Sequence, residues 1–545
     1  MRSRTAPAPW LIPAALLLFA AALRWVPGPR TIDDAYITFR YVRNILAGNG
    51  FVYNPGEPVL GTTTPLYTFL LTVLGLFSGG PQAPFPEIAL VVNSLADGVT
   101  CILLFLLGRR LGSTAAGLGA ALAWVVAPYS VTFAIGGLET SVFVLLLTAA
   151  ALAHLSTRTT LAALLGALAF LTRPDSLLLV APLAADRLLQ IGCAHPRLAG
   201  LRRQLGRFSG LLCRLADADD AAPFHWKEAA AFLLPAGAWL VFATVTFGSP
   251  IPHSVSAKNL AYHLPENSAL VRLVQHYATP FMENLTFGVP AIAAGLVLYP
   301  FLYILGARKA LQSSRRVWPL ALFPWLYFAA YAIANPLIFR WYLTPILPAY
   351  FLIILTGAEG LLRAVLSRLE GQRLQRTLQP AGAAALVLVP ALLLSGGWTL
   401  APDHGLTRPA PEMAWYKIEL AYRQAADRVA QEIRQRGQDM PVLAAGDVGV
   451  LGYYTPARIL DTVGLNSPVT LQYLPVEQDI IAGGYGYAVP PDLILEQHPD
   501  YVVLMEVYIR EGLLKDPRFA QSYELLETIP TDYYDSEGML IFARR

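Results

Sequence analysis

The chain has 545 residues, 55% of them hydrophobic and 14% charged, with a mean hydropathy of +0.48. Soluble domains carry about 25% charged residues, so this chain has too little polar material to cover a fully solvated surface. A net charge of +3 offers no electrostatic case for a nucleic-acid partner. The three cysteines form no CxxC pair and predict neither a disulfide framework nor a zinc site. The histidines are scattered, with no HExxH and no pair at ligand spacing.

Apolar runs long enough to matter for a bilayer recur from Trp10 to Leu400 and then stop. In chain order they are Trp10–Val26, Ile88–Leu107, Thr114–Ser130, Leu138–His154, a split run from Thr160 to Leu189, Ala229–Phe247, Phe287–Gly306, Val317–Ala334, Trp341–Thr356 and Ala381–Leu400. Arg173-Pro174-Asp175 breaks the split run into two short helices, since proline cannot continue a helix and the charges resist burial. The total is about eleven spans at roughly 17–25 residues per crossing. Pro65–Phe77 is too short to cross and is expected to lie flat or re-enter.

Basic residues gather in alternate loops: Arg109-Arg110, Arg158, Arg197 to Lys227, Arg308 to Arg316 and Arg363 to Arg376. With Arg2 and Arg4 before the first span, the positive-inside bias puts the N-terminus and these loops in the cytoplasm. The expected location is therefore the plasma membrane, with the tail on the extracytoplasmic side. A signal-peptide reading of the first run, with Ala20-Ala21-Ala22 near its end, leaves the following loop outside as well.

The expected organisation is a transmembrane module over residues 1–400, with a first outer loop at 27–87, and a soluble domain over 401–545. In the tail, Glu412 to Arg436 has helical spacing, with Ile418, Tyr422, Ala425, Val429 and Ile433 on one face. Strand-like runs follow at Pro441–Ala445, Arg458–Val463, Tyr501–Met505 and Met539–Ala543. Together they predict a small α/β domain. Gly446, Gly449 and Gly452 have the wrong spacing for GxGxxG and read as turn glycines.

The first outer loop carries the densest chemistry. Ile37, Tyr41 and Ile45 recur at helical spacing after Asp33-Asp34, so two adjacent carboxylates open an amphipathic helix at the membrane surface. A purely local role competes with catalysis, because Thr31 and Asp34 spell a T-x-x-D capping box. The other polar residues that break apolar surroundings are Glu139, Arg173, Asp175, His253, Lys258 and Arg340, and the topology puts all of them at the same, outer end. Arginine and lysine there run against the positive-inside bias. Each has a bland reading alone, such as an Arg173–Asp175 pair or Arg340 reaching for headgroups. Asn93 and Asp97, inside a span, read as interior structural polar groups.

Such a collection suits transfer of a sugar from a lipid phosphate. A carboxylate at Asp33 or Asp34 would take the proton of an acceptor hydroxyl attacking the anomeric carbon. Lys258, Arg173 or Arg340 would hold the departing phosphate.

The stretch from Asp33 to Tyr41, with Gly48-Asn49-Gly50 and Asn54-Pro55-Gly56-Glu57, resembles the first extracellular loop of bacterial GT-C glycosyltransferases. The nearest likeness is to the terminal arabinofuranosyltransferases of mycobacterial cell walls. Gly137-Leu138-Glu139-Thr140, Thr172 to Asp175, Arg340 to Pro345, Gly446 to Gly449 and Leu460 to Leu465 match in the same order. The resemblance implies a GT-C membrane module, an extracytoplasmic α/β domain, a polyprenyl-phosphate sugar donor and a cell-envelope glycan acceptor. It maps the catalytic acid onto the Asp33-Asp34 pair without choosing between them, and adds Tyr36 and Arg40 to the candidate substrate contacts. A divalent cation stays open, with only that pair and Glu139 as candidate ligands. A transporter of lipid-linked glycan is the alternative from another class. Transporters favour charges at mid-membrane and internal repeats, and neither pattern is visible here.

Overall fold

The computed structural model describes residues 10–194, 210, 213, 224–282, 288–368, 372–399, 408–411, 416–483 and 486–545. In chain order the membrane part has helices α1 (Leu11–Trp25), α2 (Asp33–Leu46), α3 (Pro65–Leu76), α4 (Phe85–Arg110), α5 (Thr114–Val126), α6 (Pro128–Ile135), α7 (Thr140–Leu155), α8 (Thr159–Thr172) and α9 (Leu177–Ala194). There follow α10 (Trp226–Phe247), α11 (His253–Ala261), α12 (Ser268–Ala278), α13 (Gly288–Ser313), α14 (Trp318–Ala334), α15 (Arg340–Leu343), α16 (Leu347–Leu366) and α17 (Gln372–Ser395).

Each predicted span falls mainly on a helix or helix pair, although the last runs past Ser395 into a short strand at Trp398–Thr399 and residues 287 and 400 lie outside the described residues, and the lengths are uneven. Among the described residues seven helices are long and apolar enough to cross a membrane, and α5 with α6, bent by 48°, makes an eighth. The other three expected crossings, α1, α7 and α8, have only 15, 16 and 14 residues. The count of about eleven therefore exceeds the spans of full crossing length. The shortness of α7 and α8 has a local cause: both end at the polar layer that holds the cavity described below. The break after α8 lies at Arg173, as expected, with a single tight turn over Pro174–Ser176 before α9. Pro128 at the start of α6 likewise forces the bend after α5.

Small residues let the spans approach closely. A Cβ on Gly306 of α13 would lie 1.8 Å from the Ile353 carbonyl of α16, and one on Gly357 would lie 1.9 Å from the Leu302 carbonyl. Backbone-to-backbone packing of this kind replaces the hydrophobic drive that lipid cannot supply. Deep in the bundle, Arg24 of α1 is fully buried and pairs with Asp97 of α4 at 3.0 Å. It also donates to the Val125 carbonyl and the Ser130 hydroxyl at the α5–α6 bend. Asn93 donates to the Ala134 and Leu138 carbonyls, so both interior polar residues of α4 are structural, as their positions suggested.

The tail contains strands β1 (Trp398–Thr399) and β2 (Ala410–Pro411), then α18 (Tyr416–Arg436), β3 (Val442–Ala445), α19 (Gly449–Tyr454), β4 (Arg458–Asp461), α20 (Pro491–Gln497), β5 (Tyr501–Met505), α21 (Pro517–Ser522), β6 (Tyr523–Pro530) and β7 (Gly538–Arg544). Five strands form a mixed sheet in the order β4-β3-β5-β7-β6, with β4, β3 and β5 parallel and β7 antiparallel to both its neighbours. The predicted face of α18 is buried at Ile418, Tyr422, Ala425, Val429 and Ile433. Residues 412–415, where that helix was expected to begin, lie outside the described residues. Strand β6 was not anticipated, because it is a half-exposed edge with a register shift between Leu525 and Glu527 and lacks clean alternation.

Two local expectations are corrected. Cys193 and Cys213 form a disulfide, which no sequence motif announced because their 20-residue separation has no recognisable spacing. The Thr31–Asp34 capping box does not form either. Ile32 caps α2 without a side-chain bond, the Asp33 carboxylate is engaged by the tail domain, and Asp34 lines a cavity.

Candidate active site

Adjacent residues on a helix point about 100° apart, and that angle separates the two carboxylates of α2. Asp33 turns toward the tail domain, where its carboxylate accepts the backbone N–H groups of Gly449 (2.8 Å) and Val450 (2.7 Å) at the start of α19. Its own N–H donates to Glu419 of α18 at 3.0 Å. The fit is too close for a side chain on Gly449, whose Cβ would lie 1.8 Å from the Asp33 carbonyl. Burial and the charge of Asp447 push the Asp33 carboxyl up, while the two amides oppose them.

Asp34 instead lines a cavity of about 710 Å³. The cavity wall brings together five sequence-predicted residues: Asp34, Glu139, Arg173, Asp175 and Lys258. Burial raises the Asp34 carboxyl above its ordinary value, and the Lys258 ammonium pulls it back. For Lys258, burial favours the neutral amine, but Tyr342 and Asp34 outweigh it and hold the ammonium. Its Nζ also lies 5.1 Å from the centre of the Phe339 ring.

The second cation of the wall is differently placed. Arg173 donates to Glu139 at 3.2 Å and to both oxygens of Asp175 at 3.0 Å. Tyr327 and Tyr331 of α14 donate to the same Asp175 at 3.0 and 3.1 Å. Arg173 is thus matched by two carboxylates and packed over the Tyr342 ring at 4.9 Å. The pair expected from sequence exists, extended to a triad that joins α7, the α8–α9 break and α14.

The remaining candidates lie outside the cavity wall. Tyr36 packs on Phe39, Tyr453 and Tyr454, with its hydroxyl 3.3 Å from that of Tyr454. Arg40 is a clamp between the first loop and the tail, donating to the carbonyls of Tyr53, Gly452 and Ala457 and to the Asn54 side chain. His253 opens α11, anchored by its N–H on the Leu60 carbonyl at 2.8 Å. Arg340 lies over the Tyr129 ring at 5.4 Å.

Several cavity residues were not singled out from sequence. Thr62, Thr63 and Thr64, just before α3, contribute a row of hydroxyls, and Tyr262, Tyr331 and Asn335 contribute more. The threonine run and tyrosines inside apolar helices were the available signals. The Leu460-to-Leu465 motif acts through its backbone: Asp461 accepts the N–H groups of Val463, Gly464 and Asn466, shaping a loop that puts Leu465 into the cavity wall. Among the described residues no group of three His, Cys, Asp or Glu side chains is gathered as a metal site requires, and no step below is routed through a cation.

The comparisons with known proteins agree with this architecture. Residues 414–542 match the family model described as a domain of unknown function, DUF8728. A terminal β-(1→2)-arabinofuranosyltransferase of Mycobacterium tuberculosis is 36% identical over 124 residues, spanning 21% of this chain and 18% of that protein. ArnT of Cupriavidus metallidurans, solved with undecaprenyl phosphate, superposes over 99% of this chain and 98% of its own, with a TM-score of 0.51 at 13% identity. The archaeal oligosaccharyltransferase AglB of Archaeoglobus fulgidus, solved with an inhibitory peptide and a dolichol phosphate, covers 94% of this chain and 72% of its own (TM-score 0.51, 12% identity). At such identities the likeness is one of fold. The chain is a multi-pass membrane protein of the GT-C fold, with a mixed α/β domain at its C-terminal end.

Proposed function

We propose that the chain is a glycosyltransferase that moves a sugar from a polyprenyl-phosphate donor to a hydroxyl of a cell-envelope glycan, on the extracytoplasmic face and with inversion. The observation that carries this reading is that Asp34 and Lys258 line the same cavity of a GT-C fold, close enough for the Lys258 charge to act on Asp34. Asp34 accepts the acceptor hydroxyl's proton as its oxygen bonds to the anomeric carbon. The bond from that carbon to the phosphate oxygen breaks with its electron pair, and Lys258 stabilises the charge gathering on the leaving lipid phosphate. Arg173, already matched by Glu139 and Asp175, is a scaffold for the wall and not the main phosphate ligand. Arabinofuranose is the favoured sugar, because the curated relative transfers it.

Sided basic loops support placing the cavity outside. Two solved relatives of the same fold hold polyprenyl or dolichol phosphates, which supports the donor class. The test is transfer of radiolabelled sugar from polyprenyl-phosphate arabinofuranose, mannose and glucose by purified protein in lipid, with envelope glycan fragments as acceptors. Donor-dependent transfer that disappears in Asp34→Asn is expected. No transfer with any donor, by protein shown to be folded and active in a lipid-glycan flipping assay, would replace this reading with transport.

A further inference from the structure

The parallel strands β4, β3 and β5 end toward the membrane module, and their carboxyl ends carry side chains that the transfer mechanism leaves unused. Chain order runs from β3 to β4 on one side and then to β5 on the other, so the sheet has a switch point at the end of β3, the place where open α/β sheets bind ligands. Asp447 stands there, two residues beyond the last residue of β3. The residue keeps part of its surface open, its carboxyl is pushed up to about 6 by the surrounding protein, and it accepts a hydrogen bond from the Tyr422 hydroxyl of α18.

The position of Asp447 relative to the cavity is set by the backbone. Gly449, two residues on, donates to Asp33, the immediate neighbour of Asp34. Glu419, one helical turn before Tyr422 on α18, holds the Asp33 N–H. Asp34 and Asp447 are thus suspended from the same pair of elements. Tyr262 bridges them: it lines the cavity, and the charges of both Asp447 and Asp34 reach its phenol. Its ring lies 5.9 Å from that of Tyr487, which lies 5.4 Å from that of Tyr508, just past the end of β5. The C-terminal end of α11 is fastened to the tail beside them, where the His263 N–H donates to the Gly486 carbonyl at 2.7 Å.

We infer that Asp447, with Tyr262 and Tyr508, forms the subsite for the acceptor saccharide, so that the tail domain supplies part of the transfer site. A carboxylate with a free oxygen accepts hydrogen bonds from neighbouring sugar hydroxyls. Half-buried tyrosines present an apolar face to the sugar ring and a polar edge to its substituents. The negative charge of Asp34 also reaches Asp447, which fits a neutral polyol and not an anionic ligand. Tyr262, which lines the cavity with Asp34, joins this subsite to the transfer site. The inference rests on the transfer reading, which it deepens by assigning the acceptor side.

The test uses the full chain in lipid nanodiscs and the variants Asp447→Asn and Tyr262→Ala. Asparagine keeps an oxygen for Tyr422 but loses the charge-assisted bonds. Expected is a rise in acceptor KM on the order of tenfold to a hundredfold, with donor KM and kcat at saturating acceptor within about twofold. Partial recovery in Asp447→Glu is also expected, which a merely structural aspartate would not show. Equal damage to donor and acceptor KM, or an unchanged acceptor KM in Asp447→Asn, would overturn the assignment. Arabinofuranose and mannose pentasaccharides titrated without donor give a second readout. Binding by wild type and its loss in Asp447→Asn supports the subsite even if no donor is ever used, in which case the transfer reading alone fails. Binding of neither probe by wild type would overturn the subsite whatever the transfer assay shows.

Discussion

Two polar clusters sit at the two ends of the helix bundle, and they are built on different principles. At the end away from the cavity, Asp186 of α9 lies 2.7 Å from His154, and it accepts from Gln190 at 2.7 Å and from the Trp318 indole at 2.6 Å. Arg187, next to it, pairs with both oxygens of Glu228 at 2.8 Å. These groups face protein, and they tie α7, α9, α10 and α14 together. At the cavity end Arg173, Glu139 and Asp175 repeat that pattern, but Asp34 and Lys258 line a cavity with room for a substrate. Charge inside a membrane bundle is therefore not by itself a mark of function. What distinguishes the site is charge held at a wall with room for a substrate in front of it.

The largest effect that would sharpen this contrast is on Asp34. Asp34→Asn is expected to lower kcat by about 10²–10⁴-fold, the usual range for a lost general base, with an unchanged melting temperature. Single-turnover transfer measured beside thermal unfolding would check it, and near-wild-type turnover would break the contrast at once. Next in size is Lys258→Met, expected to reduce kcat/KM for the donor by roughly 10²-fold, comparable with the removal of one preorganised charge donor. Competition by free polyprenyl phosphate should weaken in step, and unchanged inhibition would remove Lys258 from the phosphate site.

The opposite cluster should behave in the reverse sense. Asp186→Ala leaves buried donors on His154 and Gln190, and the half-buried Trp318 indole, without an acceptor, at about 1–3 kcal/mol for each buried group left unsatisfied. A lower melting temperature with activity per folded molecule within about twofold is the expected result. Loss of turnover at full stability would mean that this end also takes part in the reaction.

The smallest effect concerns pH. The base must be ionised to work, so activity falls as pH drops through the Asp34 pKa, and burial places that limb above the ordinary carboxylate range. The Lys258 charge lowers this pKa, so Lys258→Met should move the residual activity's acid limb to higher pH. A limb that stays in place would show that the two groups do not sense each other.

Part of this contrast is legible in the sequence. The Arg173-Pro174-Asp175 break was legible, because a proline between two charges in an apolar run leaves few alternatives. So was the buried face of α18, whose spacing has a single period. The partition of Asp33 from Asp34 was not. Both residues share a local sequence, and only the arrival of Gly449 and Val450, more than 400 positions later, gives one of them a structural partner. For the same reason Arg40 reads as a substrate contact from its loop but is a clamp in three dimensions: its partners Gly452 and Ala457 lie in the other domain. The Cys193–Cys213 bond and strand β6 escaped because neither leaves a periodic trace.

Apolar content and its interruptions determined, from the sequence alone, that this chain is a membrane bundle with an α/β tail, and the unusual polar residues pointed to one end of the bundle as the place of the proposed site. Those properties are sums over many residues and survive errors at any one. Which carboxylate faces the cavity, which arginine is already matched, and which tail residue stands beside the site were decided only by tertiary structure. Each depends on the direction of one side chain, and that direction is set by contacts between segments hundreds of residues apart.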